Sequence, residues 1–318
     1  MAMKGIWRGI LGVMVALITC LSIIGGNARS HAQTSPTPLS LDTAGLTLEQ
    51  LADGVYGLIA RTDFPPQDPA TTAICNGGIV IGTDGVLVID PFQNEALGNL
   101  MFETVDSLTD QPVTYVVNTH YHFDHTGGNP AAQAREVPIV GRGPIRDYMI
   151  TRNAEMDPNP TPPDVVVNGA TAIWLGDRQV YIEEVEGHSS GTDIIAYVPG
   201  ADVLFAGDMV FHQRIPYLGD GSIRQWQASL AYLMETYPTA TVLPGHGDVT
   251  NVSGLDAQRT YFETLEQRAL SWQVQNLSQE EAIAMSSEIP AAYQDYLFQA
   301  LYPGNLDVAY QQITLNDE

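Results

Sequence analysis

Lysine is nearly absent from this chain: Lys4 is the only one in 318 residues, so every other cationic side chain is an arginine. Cysteine is as scarce. Cys20 and Cys75 are the only two, which excludes a disulfide-stapled scaffold. Positive charge is short overall, with 13 Lys and Arg against 37 Asp and Glu and a formal net charge of −24 at pH 7. Such a surface repels phosphate backbones, so nucleic acid is not an expected partner. The one long apolar run, residues 10–24, falls short of the roughly 20 residues a membrane-spanning helix needs.

The flanks of that run give it a different meaning. Lys4 and Arg8 precede it, and Gly25-Gly26 and then Ser30-His31-Ala32 follow, the order of a secretory signal peptide over residues 1–32 cut after Ala32. The expected location is therefore periplasmic or secreted, with membrane attachment only through an uncleaved signal. Cys20 follows Thr19, a poor lipidation context. Cleavage would remove Lys4, Arg8 and Arg29, leaving 37 acids against 10 arginines, a net charge of −27. Cys75 would then be the sole cysteine, expected as a small buried hydrophobe. Residues 33–50 are rich in Ser, Thr and Pro and read as a leader, with structure expected from near Leu51.

What the chain does have is a 44% apolar content, ample for a packed core, and one dense polar stretch. Asn118 to Gly128 reads NTHYHFDHTGG and follows the apolar strand-like run 113–117. It brings His120, His122, Asp124 and His125 to the end of a strand, a donor set of imidazole nitrogen and carboxylate oxygen that suits a borderline divalent ion such as zinc. Outside the presequence the chain has six histidines, and three fall here. Three further places put a donor beside a glycine after a strand-like run: Gly187-His188, Gly207-Asp208 and Gly245-His246. Asp90, closing another strand, is a candidate oxygen partner for a ligand histidine.

The periodicity around these points predicts strands at 54–61, 74–82 and 86–90, the latter two a hairpin across Thr83-Asp84-Gly85. A helix is expected at 95–108 on a stripe of Leu97, Leu100, Met101, Val105 and Leu108. Later strands are expected at 137–141, 180–185, 193–198, 203–205 and 241–243, with helices at 144–152 and 224–237 and a proline-rich loop at 157–164. From residue 255 the pattern turns helical, with a stripe of Phe262, Leu265, Ala269 and Trp272 and a capping box at Ser278 and Glu281.

The ordered set HxHxDH, His188, Asp208 and His246 resembles the metallo-β-lactamase-fold hydrolase superfamily, over roughly residues 54–247. That resemblance implies an α/β, four-layer αββα sandwich at 51–254 with a helical C-terminal extension at 255–318 packed on it. It also implies two Zn2+ ions, with Fe or Mn as alternatives. His120, His122 and His188 would hold one, Asp124, His125 and His246 the other, and Asp208 would bridge them. With Asp at the bridging position the pattern is closer to glyoxalase II-type enzymes and lactonases than to β-lactamases that carry Cys there. The run AGDMVFHQRIPYLGDGS looks like exported hydrolases associated with sulfur oxidation or quinoprotein systems.

The chemistry so implied is hydrolysis of an activated carbonyl in a small-molecule substrate: an ester, thioester, lactone or β-lactam. Two divalent ions sharing a water bring its pKa toward neutrality, and Asp124 is the candidate to orient that water and take its proton. His212, Arg214, Tyr217 and Arg224 are candidate substrate contacts on the loop after Asp208. Two alternatives are a mononuclear iron enzyme like the persulfide dioxygenases of this superfamily and an inactive metal-binding partner protein. Oligomeric state is not legible. The presequence reading predicts that N-terminal sequencing of exported protein finds a start near Gln33, and a start at Met1 would refute it.

Overall fold

The computed structural model describes residues 39–314. The expected signal peptide, and the leader up to residue 38, lie outside them. Two sheets make the centre. The first runs β1 (Leu46–Ala52), β2 (Val55–Ala60), β3 (Gly77–Ile81), β4 (Val86–Ile89), β5 (Val113–Val117), β6 (Ile139–Arg142) and β7 (Val165–Val167), in that spatial order. The second is ordered β12-β11-β10-β9-β8, from β8 (Thr171–Leu175), β9 (Arg178–Glu184), β10 (Ile194–Val198), β11 (Val203–His212) and β12 (Thr241–Gly247). Strands β4 to β7 pair in parallel, as do β11 and β12, and the remaining pairs are antiparallel.

Strand composition follows from where each face points. β4 is buried on both faces and reads as an unbroken apolar run, and β11 is buried along nearly all its length with Asp208 interrupting its apolar residues, whereas β9 alternates, with Val180 and Ile182 inward and Tyr181 outward. Val55, Ile59, Val80, Leu87 and Val117 of the first sheet meet Val180, Ile182, Ala196, Val203 and Phe205 of the second, closing the inner layer.

Helices cover both outer faces. α1 (Glu95–Leu108) starts at Asn94, whose side chain accepts from the Leu97 N–H, and lays Leu97, Leu100, Met101 and Val105 on the first sheet, with Leu108 half-buried. Short helices α2 (Phe123–Thr126), α3 (Asn129–Gln133) and α4 (Ile145–Thr151) follow the β5 and β6 ends. On the other side α5 (Ile223–Thr236) and α6 (Val252–Val274) bury Trp226, Leu230, Leu233, Phe262, Leu265, Ala269 and Trp272 against Ile195, Leu204 and Val242. α7 (Gln279–Met285), with the Ser278–Glu281 capping box in place, and α8 (Tyr302–Ala309) complete that layer. This is the four-layer αββα sandwich with C-terminal helices. Among the described residues no helix is long and apolar enough to cross a membrane.

Some expected boundaries move. β1 begins at Leu46, inside the span read as leader, because Leu46 and Leu48 alternate with polar residues and pair with Ala60 and Leu58. The Ser/Thr/Pro bias just before it masks that alternation. The helical extension expected from 255 starts earlier, since α6 runs from Val252 behind its N-cap Asn251, and it shares one apolar core with the second sheet. β11 continues past Phe205 to His212, so Asp208 lies within a strand whose register against β12 is irregular on both sides of Gly207. Tyr237 caps α5 half-buried. β7 and β8 were not expected, one being short and largely exposed and the other an edge strand.

Phe205 is 1% exposed between the sheets and Trp174 is 61% exposed on β8. Phe205→Ala should lower unfolding free energy by about 3–5 kcal/mol, and Trp174→Ala by no more than about 0.5 kcal/mol, in denaturant melts of the same preparation.

Candidate metal centre

Seven donor residues meet at one edge of the sandwich, where β5, β9, β11 and β12 deliver their ends or following loops. The chain leaves β5 at Val117, places His120 and His122 in an irregular stretch, and turns into α2 with Asp124 and His125. His188 follows β9, while Asp208 and His246 sit within β11 and β12. Two glycines permit the approach. Gly207 has φ +51°, and a Cβ there would lie 2.6 Å from Thr119 Oγ1; a Cβ on Gly245 would lie 2.0 Å from Asp208 Oδ1.

The donors form two groups. His120, His122, His188 and Asp208 make one and Asp124, His125 and His246 the other, with the donor atoms of each group within 4.8 Å of one another. Asp208 faces both. Its Oδ2 is 3.6 Å from Nε2 of His120 and of His188, and its Oδ1 is 3.0 Å from His125 Nε2 and 3.2 Å from His246 Nε2. Asp124 Oδ2 stands 3.4 Å from His246 Nε2 and 3.6 Å from His125 Nε2.

The outward nitrogens of His120, His125 and His246 are held by oxygen. Asp90 Oδ2 takes the His125 Nδ1 hydrogen at 2.8 Å and the Thr119 hydroxyl hydrogen at 2.7 Å, and its Oδ1 accepts from the Thr119 N–H at 2.8 Å. With its only hydrogen committed to Asp90, Thr119 Oγ1 can only accept from His120 Nδ1, 3.0 Å away. His246 Nδ1 donates to the Ile74 carbonyl at 3.1 Å. His188 Nδ1 lies 3.4 Å from Asp193 Oδ1. In the neutral rings this leaves Nε2 of His120, His125 and His246 as the lone-pair nitrogen aimed inward.

Electrostatics show what the space requires. Burial works against ionisation of Asp208, but the imidazoles of His246, His125 and His120 hold its carboxyl well below the usual carboxylate range. Burial also opposes charge on His125, yet Cys75, Asp208, Asp124 and Asp90 together push its pKa well above the ordinary imidazole value. His120 is pushed far down, first by burial and then by His125. The carboxylates thus retain a proton at the centre when nothing else neutralises them. His120 Nε2, His125 Nε2, both His188 ring nitrogens and Asp208 Oδ1 are buried without a hydrogen-bond partner. Orphaned polar atoms of this kind, facing one another beside excess negative charge, fit divalent cations, whose binding would displace that proton.

Of the predicted substrate contacts, the structure brings Tyr217 to the centre, its ring centroid 5.4 Å from that of His122. His212 turns its Nδ1 to the Asp248 carbonyl at 2.9 Å. Arg214 is buried with its guanidinium 5.9 Å from the Phe298 ring centre, and Arg224 is exposed on the first turn of α5. Several contributors were not singled out in the sequence. Asn76 binds the Pro244 and Gly247 carbonyls at 2.9 and 2.8 Å and so fixes the strand carrying His246. Asp193 accepts from the backbone N–H of His188 and Ser189 at 3.1 and 2.7 Å. Phe298, in the C-terminal region, sets its ring 5.1 Å from His246. Asp220 contacts His122 and Tyr121. Although burial raises it, hydrogen bonds and charge from His122, with Tyr121 and Arg152, hold its pKa at about 2. Only the strand-end Asp-Ser-Asn chemistry hinted at such roles, and it recurs throughout the chain.

Residues 70–246 match the family model described as the metallo-beta-lactamase superfamily. The metallo-beta-lactamase type 2 of Bacillus cereus is 24% identical over 247 residues, covering 75% of this chain and 92% of that protein. A hydroxyacylglutathione hydrolase of Rhodospirillum rubrum is 28% identical over 165 residues, 52% of this chain and 58% of that one. Among solved structures, a metallo-beta-lactamase from Pontibacter korlensis superposes with a TM-score of 0.59 at 23% identity, covering 69% of this chain and 99% of its own.

Because Asp208 faces both groups, Asp208→Ala should reduce metal content at both sites, whereas His120→Ala and His246→Ala should each chiefly empty one. Elemental analysis of the purified variants reads the difference, and wild-type stoichiometry in all three would remove the assignment.

Proposed function

Since this chain belongs to the metallo-beta-lactamase superfamily, we propose that it is an exported binuclear zinc hydrolase acting on the activated carbonyl of an ester, thioester or lactone. The observation that carries this reading is Asp208, whose two oxygens face two separate nitrogen-rich donor groups. His120, His122, His188 and Asp208 would hold one ion and Asp124, His125, His246 and Asp208 the other. Bound there, the pair would supply Lewis acidity and an activated water.

The chain's own residues do the rest. Asp124 is the proton carrier: its side chain is 13% exposed, the most open of the carboxylates in the two groups, and it stands beside the donors of the second group. It takes the proton of the attacking water as the new C–O bond forms and returns it to the departing alkoxide, thiolate or hydroxyl as the bond to the leaving group breaks. Asp90 and Thr119 keep the rings of His125 and His120 from turning during this exchange.

Charge supports the choice of substrate. No lysine remains after the expected cleavage, Arg214 is buried under Phe298 and Arg224 is exposed on α5. Arg152 stacks on Tyr148 at 3.5 Å and faces Asp220 at 3.9 Å, so its charge is already engaged. A substrate that needs a cation for its own carboxylate, as β-lactams do, is disfavoured beside neutral esters, thioesters and lactones.

The test is a panel of aryl esters, S-acyl thioesters, acyl-lactones and β-lactams, read with metal analysis. Two zinc ions per chain, loss of turnover on chelation and a preference for the first three classes are expected. Asp124→Asn should lower kcat by a factor of about 100 or more while metal content falls much less. One iron per chain without hydrolysis would replace this reading with an iron-dependent one, and efficient cephalosporin hydrolysis with esters untouched would overturn the substrate order.

A further inference from the structure

Three of the five histidines in the centre have one ring nitrogen hydrogen-bonded to a neighbour in the fold, Thr119 for His120, Asp90 for His125 and the Ile74 carbonyl for His246, while His188 Nδ1 only lies 3.4 Å from Asp193. His122 differs. Its Nε2 points away from the other donors to Asp220 Oδ2 at 3.0 Å, and Asp220 stands 98 residues further along the chain. The same oxygen accepts the Tyr121 hydroxyl, and Oδ1 faces Arg152 at 3.9 Å.

The backbone around Asp220 reaches the rest of that donor group. Its carbonyl accepts from Ser190 Oγ at 2.9 Å, and the next-but-one N–H, that of Ser222, donates to the Gly187 carbonyl at 2.8 Å, so the turn bearing His188 is tied down on both sides. The loop itself follows directly from the strand of Asp208. Behind, it is anchored by Ile215 N–H to the Leu297 carbonyl at 2.9 Å and by Asn305 to the Pro216 carbonyl at 2.9 Å. The side chain and backbone of this one turn therefore join the three chain segments that supply His120 and His122, His188, and Asp208.

A carboxylate can only accept, so the hydrogen between Asp220 and His122 belongs to the imidazole. We propose that Asp220 is the positioning residue for His122. By accepting the Nε2 hydrogen it selects the tautomer whose Nδ1 is the free donor, and it makes assembly of the first donor group depend on the loop at 213–222. Asparagine loses the charge but can still accept the Nε2 hydrogen on its carbonyl oxygen, whereas alanine leaves no acceptor at all and releases the choice of tautomer. This inference rests on the metal-centre reading, but its central claim concerns the imidazole and can be read without metal.

The decisive measurement is the two-bond 1H–15N spectrum of the metal-free, 15N-histidine-labelled full chain. His122 should carry its hydrogen on Nε2, and an Nδ1–H form in the wild type overturns the proposal without any variant. Asp220→Ala, which leaves no acceptor, should raise the Nδ1–H fraction of His122; an unchanged tautomer also overturns it. Zinc titration against a competing chelator should then show the first site of Asp220→Ala weakened 10–100-fold and the second within about threefold. Tyr121→Phe removes the neighbouring hydrogen bond but leaves the acceptor for His122, so its first-site affinity should stay close to wild type. Equal losses in Tyr121→Phe and Asp220→Ala would assign the effect to general loop integrity and sink the specific role. If the wild type binds no zinc, the metal-centre reading fails, and the tautomer measurement alone decides the part played by Asp220.

Discussion

Three carboxylates, Asp90, Asp124 and Asp208, surround a buried imidazole in a space almost closed to water, and the rest of the structure answers to that charge. Bare, such a cluster is expensive, because burial penalises every ionised group while like charges repel. The chain relieves it in part with a proton on His125 and in part with hydrogen bonds to Asp90 from Thr119 and His125. Among the buried polar atoms that find no hydrogen-bond partner are Nε2 of His120, His125 and His188 and Oδ1 of Asp208, all in the two donor groups. Divalent cations have the charge and ligand preference that match what is missing.

Rigid support is what makes this arrangement affordable. The donors issue from strands of both sheets, and the apolar layer between those sheets fixes the spacing of one donor set from the other. Backbones pass closely where they must, as at Gly207 against Thr119 and at Gly245 against Asp208, and a methyl group in either place would separate the strands. The C-terminal helices belong to the same construction. Leu297 forms a bridge with Arg214, and Phe298, held by a 2.7 Å hydrogen bond from its N–H to Asp63, brings its ring against His246. A region that reads as an appended helical segment thus closes one wall of the centre.

The misplaced boundaries have a common origin. Residues 46–52 carry a weak alternation beside a Ser/Thr/Pro-rich stretch, and local composition outweighed the pairing that β2 provides. Past Phe205, Ala206-Gly207-Asp208 reads as a turn. In the fold, β12 lies alongside and supplies partners at Gly207 and again at Phe211 and His212, so the strand survives the glycine as an irregularity. Tertiary pairing, which has no local signal, decided both. The strongly periodic elements suffered no such ambiguity: α1 occupies the expected residues, and the Phe262 to Trp272 stripe is buried as its spacing requires.

By itself the sequence determined the donor chemistry and the class of fold, because both are written in local terms: histidines at alternate positions after an apolar strand, a donor beside a glycine at three later points, and helical and strand periods in αββα order. It could not determine which nitrogen each imidazole presents. That depends on partners brought close only by folding: Asp90 29 residues from Thr119, Ile74 172 residues from His246 and Asp220 98 residues from His122. Nor could it show that Asn76, Asp193 and Phe298 belong to the centre, since an asparagine, an aspartate and a phenylalanine carry no mark of long-range contact. Residue identity fixes what a side chain can donate or accept, but three-dimensional proximity alone fixes to whom.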